Sequence, residues 1–321
     1  MVKLTIGITF CDKDCARMPH LLRQIEQRVK ISHEVITIDN TEKGRMKQYV
    51  TYSFGYNAYQ YEARAKIIEL AQGEYIWFID GDDDIVGTIK EFPYTEDIIV
   101  FSFITDAIGI APVTPQVIKG NIFTFSTCCP FYAALWNKFI KRSLYCEQYE
   151  RGLKIVMGED SLWLYRALKH ARSVRVVKDI WYRQYIGVSN KLENITLADF
   201  DHLLTGHDDL ERLMKKELGD EFSKEAIRDS REYMKAYAAR VDDAEEVLKR
   251  LMEILPQENI VSMYQNGDWD RDEEKSYRVR ALIAQAYGLN EEELDIFACE
   301  TKYDDGRTET LYFNRRQKPE E

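Results

Sequence analysis

The stretch Gly73-Glu74-Tyr75-Ile76-Trp77-Phe78-Ile79-Asp80-Gly81-Asp82-Asp83-Asp84 passes from an apolar run straight into a cluster of acids. Tyr75 to Ile79 has no polar interruption, which predicts a short strand buried on both faces. The strand stops at Asp80. Carboxylates this close repel one another unless solvent or a cation intervenes. Asp oxygens are also the ligands that Mg²⁺ and Mn²⁺ prefer. An arbitrary acidic run is most simply a solvated turn. One that directly follows a buried strand reads instead as a ligand site.

Upstream, residues 3–9 read as another apolar strand. Met18, Leu21, Leu22, Ile25 and Val29 then share one face of a helix, with Pro19 in its first turn, where a missing N–H costs nothing. Glu34 to Asp39 reads as a second strand and 41–57 as a loop. Residues 58–72 read as a helix, with Gly73 placed as its C′ residue. The order β-α-β-α-β with apolar strands implies a parallel sheet covered by helices. Ligands bind outside the carboxyl ends of such strands, where Thr9, Asp39 and Asp80 stand together. No Gly-x-Gly-x-x-Gly follows the first strand and no Walker A sequence occurs, which disfavours a dinucleotide or P-loop site.

The charge balance bounds the partners. Lys and Arg number 44 against 55 Asp and Glu, a net charge of −11, which disfavours a nucleic-acid acceptor or an anionic membrane. The N-terminus lacks the apolar core of a signal peptide, and no apolar run is long enough to span a bilayer. Six scattered cysteines do not make a disulfide scaffold, so reduced thiols in a cytoplasm are expected.

Three cation-linked readings fit the acids. An EF-hand would use Asp80, Asp82, Asp84 and Glu91, but Ile85 stands where its loop needs glycine, and a strand precedes it. An aspartyl-phosphate phosphohydrolase would use Asp80 as nucleophile, but needs later Ser/Thr and Lys partners that are not evident. A nucleotide-sugar site would hold a metal-bridged diphosphate on two or more Asp.

The chain resembles the GT-A glycosyltransferases of family 2 over residues 3–190. The resemblance rests on an ordered set: a strand ending in Asp39, Ala63-Arg64, the stretch Gly73 to Asp83, Leu135-Trp136-Asn137-Lys138, and Gly158-Glu159-Asp160. It implies an α/β, Rossmann-like mixed sheet of the nucleotide-diphospho-sugar transferase fold. It also implies a metal-dependent, inverting transfer of sugar from a nucleoside diphosphate, most commonly UDP, to an acceptor hydroxyl. By the same resemblance Thr9, Phe10, Asp39, Arg64 and Asp80 face the nucleotide, Arg64 near the ribose and diphosphate. Asp82, with Asp80, holds Mn²⁺ or Mg²⁺. Asp160 is the base, with Glu159 in reserve. Trp136, Asn137, Lys138, Glu159 and Arg183 are acceptor or diphosphate candidates, the last in the segment Trp181 to Tyr185. The chemistry suits these residue types: a cation neutralises the leaving diphosphate, and a carboxylate takes the hydroxyl proton. The acceptor would be a glycan, glycolipid or protein.

Further on, Asp97 to Ile104 and Val117 to Phe125 read as strands, Phe131 to Ser143 as a helix or turn-helix, and 173–178 as a strand. Glu159 begins a helix. Residues 191–256 read as a charged helical extension. Residues 257–321 read as a small α+β module, with a helix from Glu273 to Tyr287 and a hairpin around Asp304-Asp305-Gly306. The helical extension reads as a solvated helical pair packed on the catalytic domain, with an acceptor-side or oligomer surface as the alternative; acceptor binding or assembly is the reading for the last module. A catalytically weak nucleotide-sugar binding and assembly protein is the alternative from another class. The metal-dependent phosphohydrolase remains the alternative enzyme.

Overall fold

The computed structural model describes residues 2–41, 50–56, 58–105, 109–111, 114–120, 134–146, 148–153, 155, 158–185, 196–238, 244–254, 257, 260, 281–290, 296–302 and 308–314. The chain divides into two units, Met1–Ser189 with Asp209–Ala226, and Asn190–Asp208 with Ile227–Glu321.

The first unit is built on a mixed sheet with helices. In chain order its elements are β1 (Leu4–Phe10), α1 (Met18–Arg28), β2 (His33–Asp39), β3 (Tyr52–Ser53), α2 (Tyr59–Leu70), β4 (Tyr75–Asp80), β5 (Asp84–Ile85), β6 (Ile98–Thr105), β7 (Gly109–Ala111), β8 (Gln116–Lys119), β9 (Lys138–Lys141), α3 (Glu159–His170) and β10 (Ser173–Gln184). The sheet order is β3-β2-β1-β4-β9-β6-β10-β5, with β7 on β6 and β8 on β10. β1 lies parallel to both β2 and β4, as their apolar sequences require. All seven residues of β1 are buried. β10 runs parallel to β6 with register shifts after Val177 and Ile180. Its first half meets β8 and its second half meets β5.

The core gathers Ile6, Ile8, Trp77, Phe101, Phe139 and Trp181 with the apolar face of α1. The Trp77 ring meets Phe101 and Phe139 edge-on at 5.7 and 5.2 Å, and its Nε1–H donates to the Trp136 carbonyl at 2.6 Å. Helix α2 is buried almost all round, at Tyr61, Glu62, Ala63, Arg64, Ala65 and Ile67.

Three sequence expectations are corrected. The segment from Phe131 to Ser143 is not helical where it is described. It turns at 135–137, forms β9 antiparallel between β4 and β6, and closes in a 3₁₀ turn at Arg142–Leu144. Its apolar residues fill two faces of a central strand rather than one stripe of a helix. Gly73 is no left-handed C′ residue. Helix α2 ends at Ala71 in extended backbone, and Gly73 is small because it lies against the Thr5 backbone. The loop at 41–57 contains the short edge strand β3 beside β2.

In the second unit, α4 (Leu197–Ala238) is interrupted at Gly219 (φ 78°, ψ 166°), and its Asp209–Ala226 stretch counts with the first unit. α5 (Ala244–Ile254) buries Val247, Leu248 and Leu251, and its Arg250 pairs with Asp201 at 3.1 Å. β11 (Ile296–Lys302) and β12 (Thr308–Asn314) form the expected antiparallel ribbon. Its turn, Cys128-Cys129, Ser189 and Asp268–Asp272 lie outside the described residues, as do residues 273–280 of the helix expected there. No helix among the described residues is long and apolar enough to cross a membrane.

Candidate active site

The parallel register sets three strand ends side by side: Phe10 pairs with Asp39, and Thr9 pairs with Asp80. Asp39 is 1% exposed. Its Oδ1 accepts from the Thr41 amide at 2.9 Å, while its Oδ2 meets no hydrogen-bond partner among the described residues. The buried Thr9 hydroxyl is likewise without a partner among them. Buried polar atoms are nearly always paired, so both oxygens stand ready for donors. Phe10 differs: its ring belongs to the hydrophobic core.

Beyond β4 the four acids take different partners. Asp80 Oδ1 accepts from Arg64 Nη2 at 3.2 Å. Asp83 is buried, and its carboxylate accepts from the Tyr182 hydroxyl at 2.5 Å and the Tyr185 amide at 2.8 Å. Asp84 accepts from the Tyr185 hydroxyl at 2.7 Å and pairs with Arg17 at 3.2 Å. Asp82 is half-buried and makes no ion pair with a described residue. Burial, then the charges of Asp80 and Asp14, push it up to about 6. Burial, with Asp80 and Asp82, pushes Asp83 to about 8. The turn is tight at Gly81, where a Cβ would stand 2.8 Å from Phe10 Cβ and 3.2 Å from Asp14 Cβ.

Helix α3 delivers the other acids. Gly158 precedes it with φ 78°, a left-handed value that suits glycine, and Glu159 and Asp160 occupy its first turn. Arg64, 3% exposed on α2, reaches all of them. Its Nη1 donates to Glu159 Oε1 at 2.7 Å and to Asp160 Oδ1, and its Nη2 to Asp80. Burial would lower the Arg64 pKa, but the charges of Asp160, Glu159 and Asp80 raise it. Burial raises Asp160 above the usual carboxylate range, against the lowering pull of Arg64.

The remaining candidates lie deeper. Trp136 is 4% exposed and stacks on Tyr182, centroids 4.9 Å apart at 9°. It therefore backs the tyrosine that holds Asp83. Asn137 is buried, its Nδ2 donating to the Phe101 carbonyl at 3.4 Å. Lys138 has no exposed surface, and its Nζ donates to the Ala134 carbonyl and Asn137 Oδ1, both at 2.6 Å. Burial lowers its pKa to about 7, opposed by the charge of Asp160. Arg183 stands opposite Asp84 in the β10–β5 register, its guanidinium 5.9 Å from the Tyr185 ring centre.

The residue types together with the family resemblance named Asp39, Arg64, Asp80, Asp82, Glu159 and Asp160, and the fold gathers Arg64, Asp80, Glu159 and Asp160 at one point. That reading missed Tyr182 and Tyr185 as anchors of the acid turn. The available signal was their place in the aromatic segment Trp181 to Tyr185. It also missed Asp14, whose buried carboxylate accepts from the Cys11 amide at 2.8 Å. Among the described residues no three His, Cys, Asp or Glu side chains are grouped to hold a metal ion by themselves.

No family model matches the chain, and no curated protein matches it by sequence. Among solved structures it is similar to crystal structures of S. aureus TarS. For TarS 1-349 in complex with UDP-GlcNAc the identity is 13%, covering 94% of this chain and 95% of that one, with a TM-score of 0.47. For the same TarS segment with UDP the values are 15%, 96%, 96% and 0.46. For a longer TarS chain they are 13%, 91%, 54% and 0.48. At such identities and scores these likenesses carry nothing about activity or ligand.

Proposed function

We propose that the protein is a glycosyltransferase that moves a sugar from a nucleoside diphosphate, UDP foremost, to an acceptor hydroxyl with inversion. The observation that carries the reading is the meeting of Asp80, Glu159 and Asp160 on Arg64. An acid turn at a strand end and an acid pair at a helix N-terminus, far apart in sequence, converge where a parallel sheet binds ligands. This is the division of labour that sugar transfer needs.

The donor set suits a small hard divalent cation. Asp80 and Asp82 offer only carboxylate oxygens, and the crowding that raises Asp82 is what a cation relieves. Mg²⁺ is commonly held by one or two carboxylates together with substrate phosphates. Mn²⁺ or Mg²⁺ on Asp82 and Asp80 would neutralise charge on the leaving diphosphate.

The chain's own residues do the rest. Asp39 Oδ2 and the Thr9 hydroxyl accept hydrogen bonds from the base and ribose of the donor. Asp83, fixed by Tyr182 and Tyr185, keeps the turn in shape. Asp160 takes the proton of the attacking hydroxyl, and the C1–diphosphate bond breaks as the new glycosidic bond forms. One displacement inverts the anomeric centre. The acceptor is a glycan, glycolipid or protein.

The test is a thermal-shift panel of UDP, GDP, dTDP, CDP and their sugar conjugates with and without Mn²⁺, followed by product analysis. A ligand that binds only the folded state adds about 2.7 kcal/mol at a hundredfold excess over its Kd. A Mn²⁺-dependent shift and a transferred sugar are expected. Free phosphate as product would assign a phosphohydrolase. Binding without chemistry would assign a nucleotide-sugar binding protein.

A further inference from the structure

We infer that Arg64 is a positioning residue that locks the metal-side acid and the base into one geometry, and that it does not bind the donor diphosphate. The inference rests on the glycosyltransferase reading above and departs from the role that the family resemblance gives this arginine.

A guanidinium has five N–H donors in a fixed plane. In Arg64 the Nη1 donors go to Glu159 and Asp160, and an Nη2 donor goes to Asp80. Three of the five are therefore committed to protein carboxylates. The side chain is 3% exposed on a helix that is itself buried, so it has no room to swing toward a phosphate. Withdrawing it would leave three acids facing one another. Its two ends touch different parts of the chemistry. Nη2 reaches Asp80 at the end of β4, and Nη1 reaches the first turn of α3. The spacing between Asp80 and Asp160 is thus set by the span of one rigid group. Lysine has the charge but a single nitrogen, and cannot bridge both ends in the same way.

Misplacing a reacting group by about 1 Å can cost about 100-fold in rate without touching ground-state binding. The experiment compares wild type, Arg64→Lys and Arg64→Ala for donor-nucleotide affinity with Mn²⁺, by calorimetry, and for kcat. Arg64→Lys is expected to lose less than tenfold in donor affinity, the part that passes through Asp80, and about 100-fold in kcat. Methylguanidinium added to Arg64→Ala is expected to restore part of the rate, and methylammonium is not. A merely structural role would not produce that selectivity. A tenfold or greater loss of donor affinity in Arg64→Lys would overturn the inference whatever the rate, as would an unchanged kcat. If Arg64→Ala does not fold, the split between affinity and kcat in Arg64→Lys decides alone. Failure of the underlying reading looks different: wild type itself then shows no Mn²⁺-dependent nucleotide binding.

Discussion

Two buried arginines in the first unit, Arg64 and Arg166, are each 3% exposed, yet they sit in opposite electrostatic situations. Arg166 on α3 forks onto one carboxylate, Glu217, at 2.6 and 2.5 Å. Its guanidinium also lies 4.5 Å from the Trp163 ring centre, and it donates to the Tyr61 hydroxyl at 3.3 Å. One charge answers one charge and aromatic rings flank it, although Nη1 has no hydrogen-bond partner among the described residues. Arg64 instead shares its donors among three carboxylates and leaves negative charge in excess. The first arrangement holds the fold. The second leaves charge that a cationic or proton-donating ligand can answer. The contrast shows how to tell a structural buried ion pair from a candidate site: by the charge count, since burial is the same.

The contrast breaks most sharply at Asp160. Asp160→Asn is expected to lower turnover 10²–10⁴-fold, the usual contribution of a general base, while the nucleotide-induced melting shift persists. Because it removes one of three crowded acids, the melting temperature without ligand is expected to hold or rise. Glu217→Gln removes the carboxylate that forks onto Arg166, and is expected to cost about 3–5 kcal/mol in urea unfolding, the typical loss when a buried pair is broken. Replacing both members, Arg166→Met with Glu217→Leu, is expected to recover most of it. If Asp160→Asn and Glu217→Gln destabilise alike, the distinction is wrong. Asp82→Asn removes a crowded carboxylate, so the melting temperature without ligand is expected to hold or rise, and the Mn²⁺ dependence of nucleotide binding in the thermal-shift panel is expected to vanish.

Two further expected effects are in pH. Folding raises Asp83 from its ordinary 3.8 to about 8. The folded state holds a proton that the unfolded chain has lost, so this group's contribution to stability falls as pH rises between those values. Glu96 is the reverse case: its hydrogen bond with Arg175 lowers it from 4.5 to about 2. Its contribution is present above 4.5 and is lost as pH falls toward 2. Melting temperatures across pH for wild type, Asp83→Asn and Glu96→Gln are expected to flatten opposite limbs of the profile. The same limb flattened by both variants would contradict the assignment.

The regular part of this molecule was legible because period and burial agree. The first strand, α1, β2, α2 and β4 follow from apolar runs and one clean helical stripe, and Asp80 falls at its strand end as read. Segment 134–141 was misread because a short apolar run carries no period that separates a central strand from a buried helix. β9 owes its form to lying between β4 and β6, which only the assembled sheet supplies. The two-residue strands β3 and β5 have no local signal at all. In the site, residue types and order pointed to Asp39, Asp80, Asp82, Glu159 and Asp160. What they could not convey is which group Arg64 faces. That depends on α2 being buried almost all round, and a helix whose polar residues are spread around it, with no apolar stripe, gives no orientation in sequence.

Five of the bonds that define the acid turn and its arginine join residues 95 to 102 positions apart: Arg64 to Glu159 and Asp160, Tyr182 to Asp83, and Tyr185 to Asp83 and Asp84. A ribosome adds about 5–20 residues per second. Roughly 5–20 s therefore separate the emergence of Asp83 from that of Tyr185 at that pace. Through that interval β1, β2 and β4 can already pair, and Arg64 and Arg17 can meet Asp80 and Asp84, while Asp83 lacks both of its partners. The candidate-site end of the sheet is thus completed only once β10 has emerged, well after the strands that carry its acids. A pulse-labelled nascent chain stalled before Tyr182 should protect the strand amides from exchange well before those of the turn.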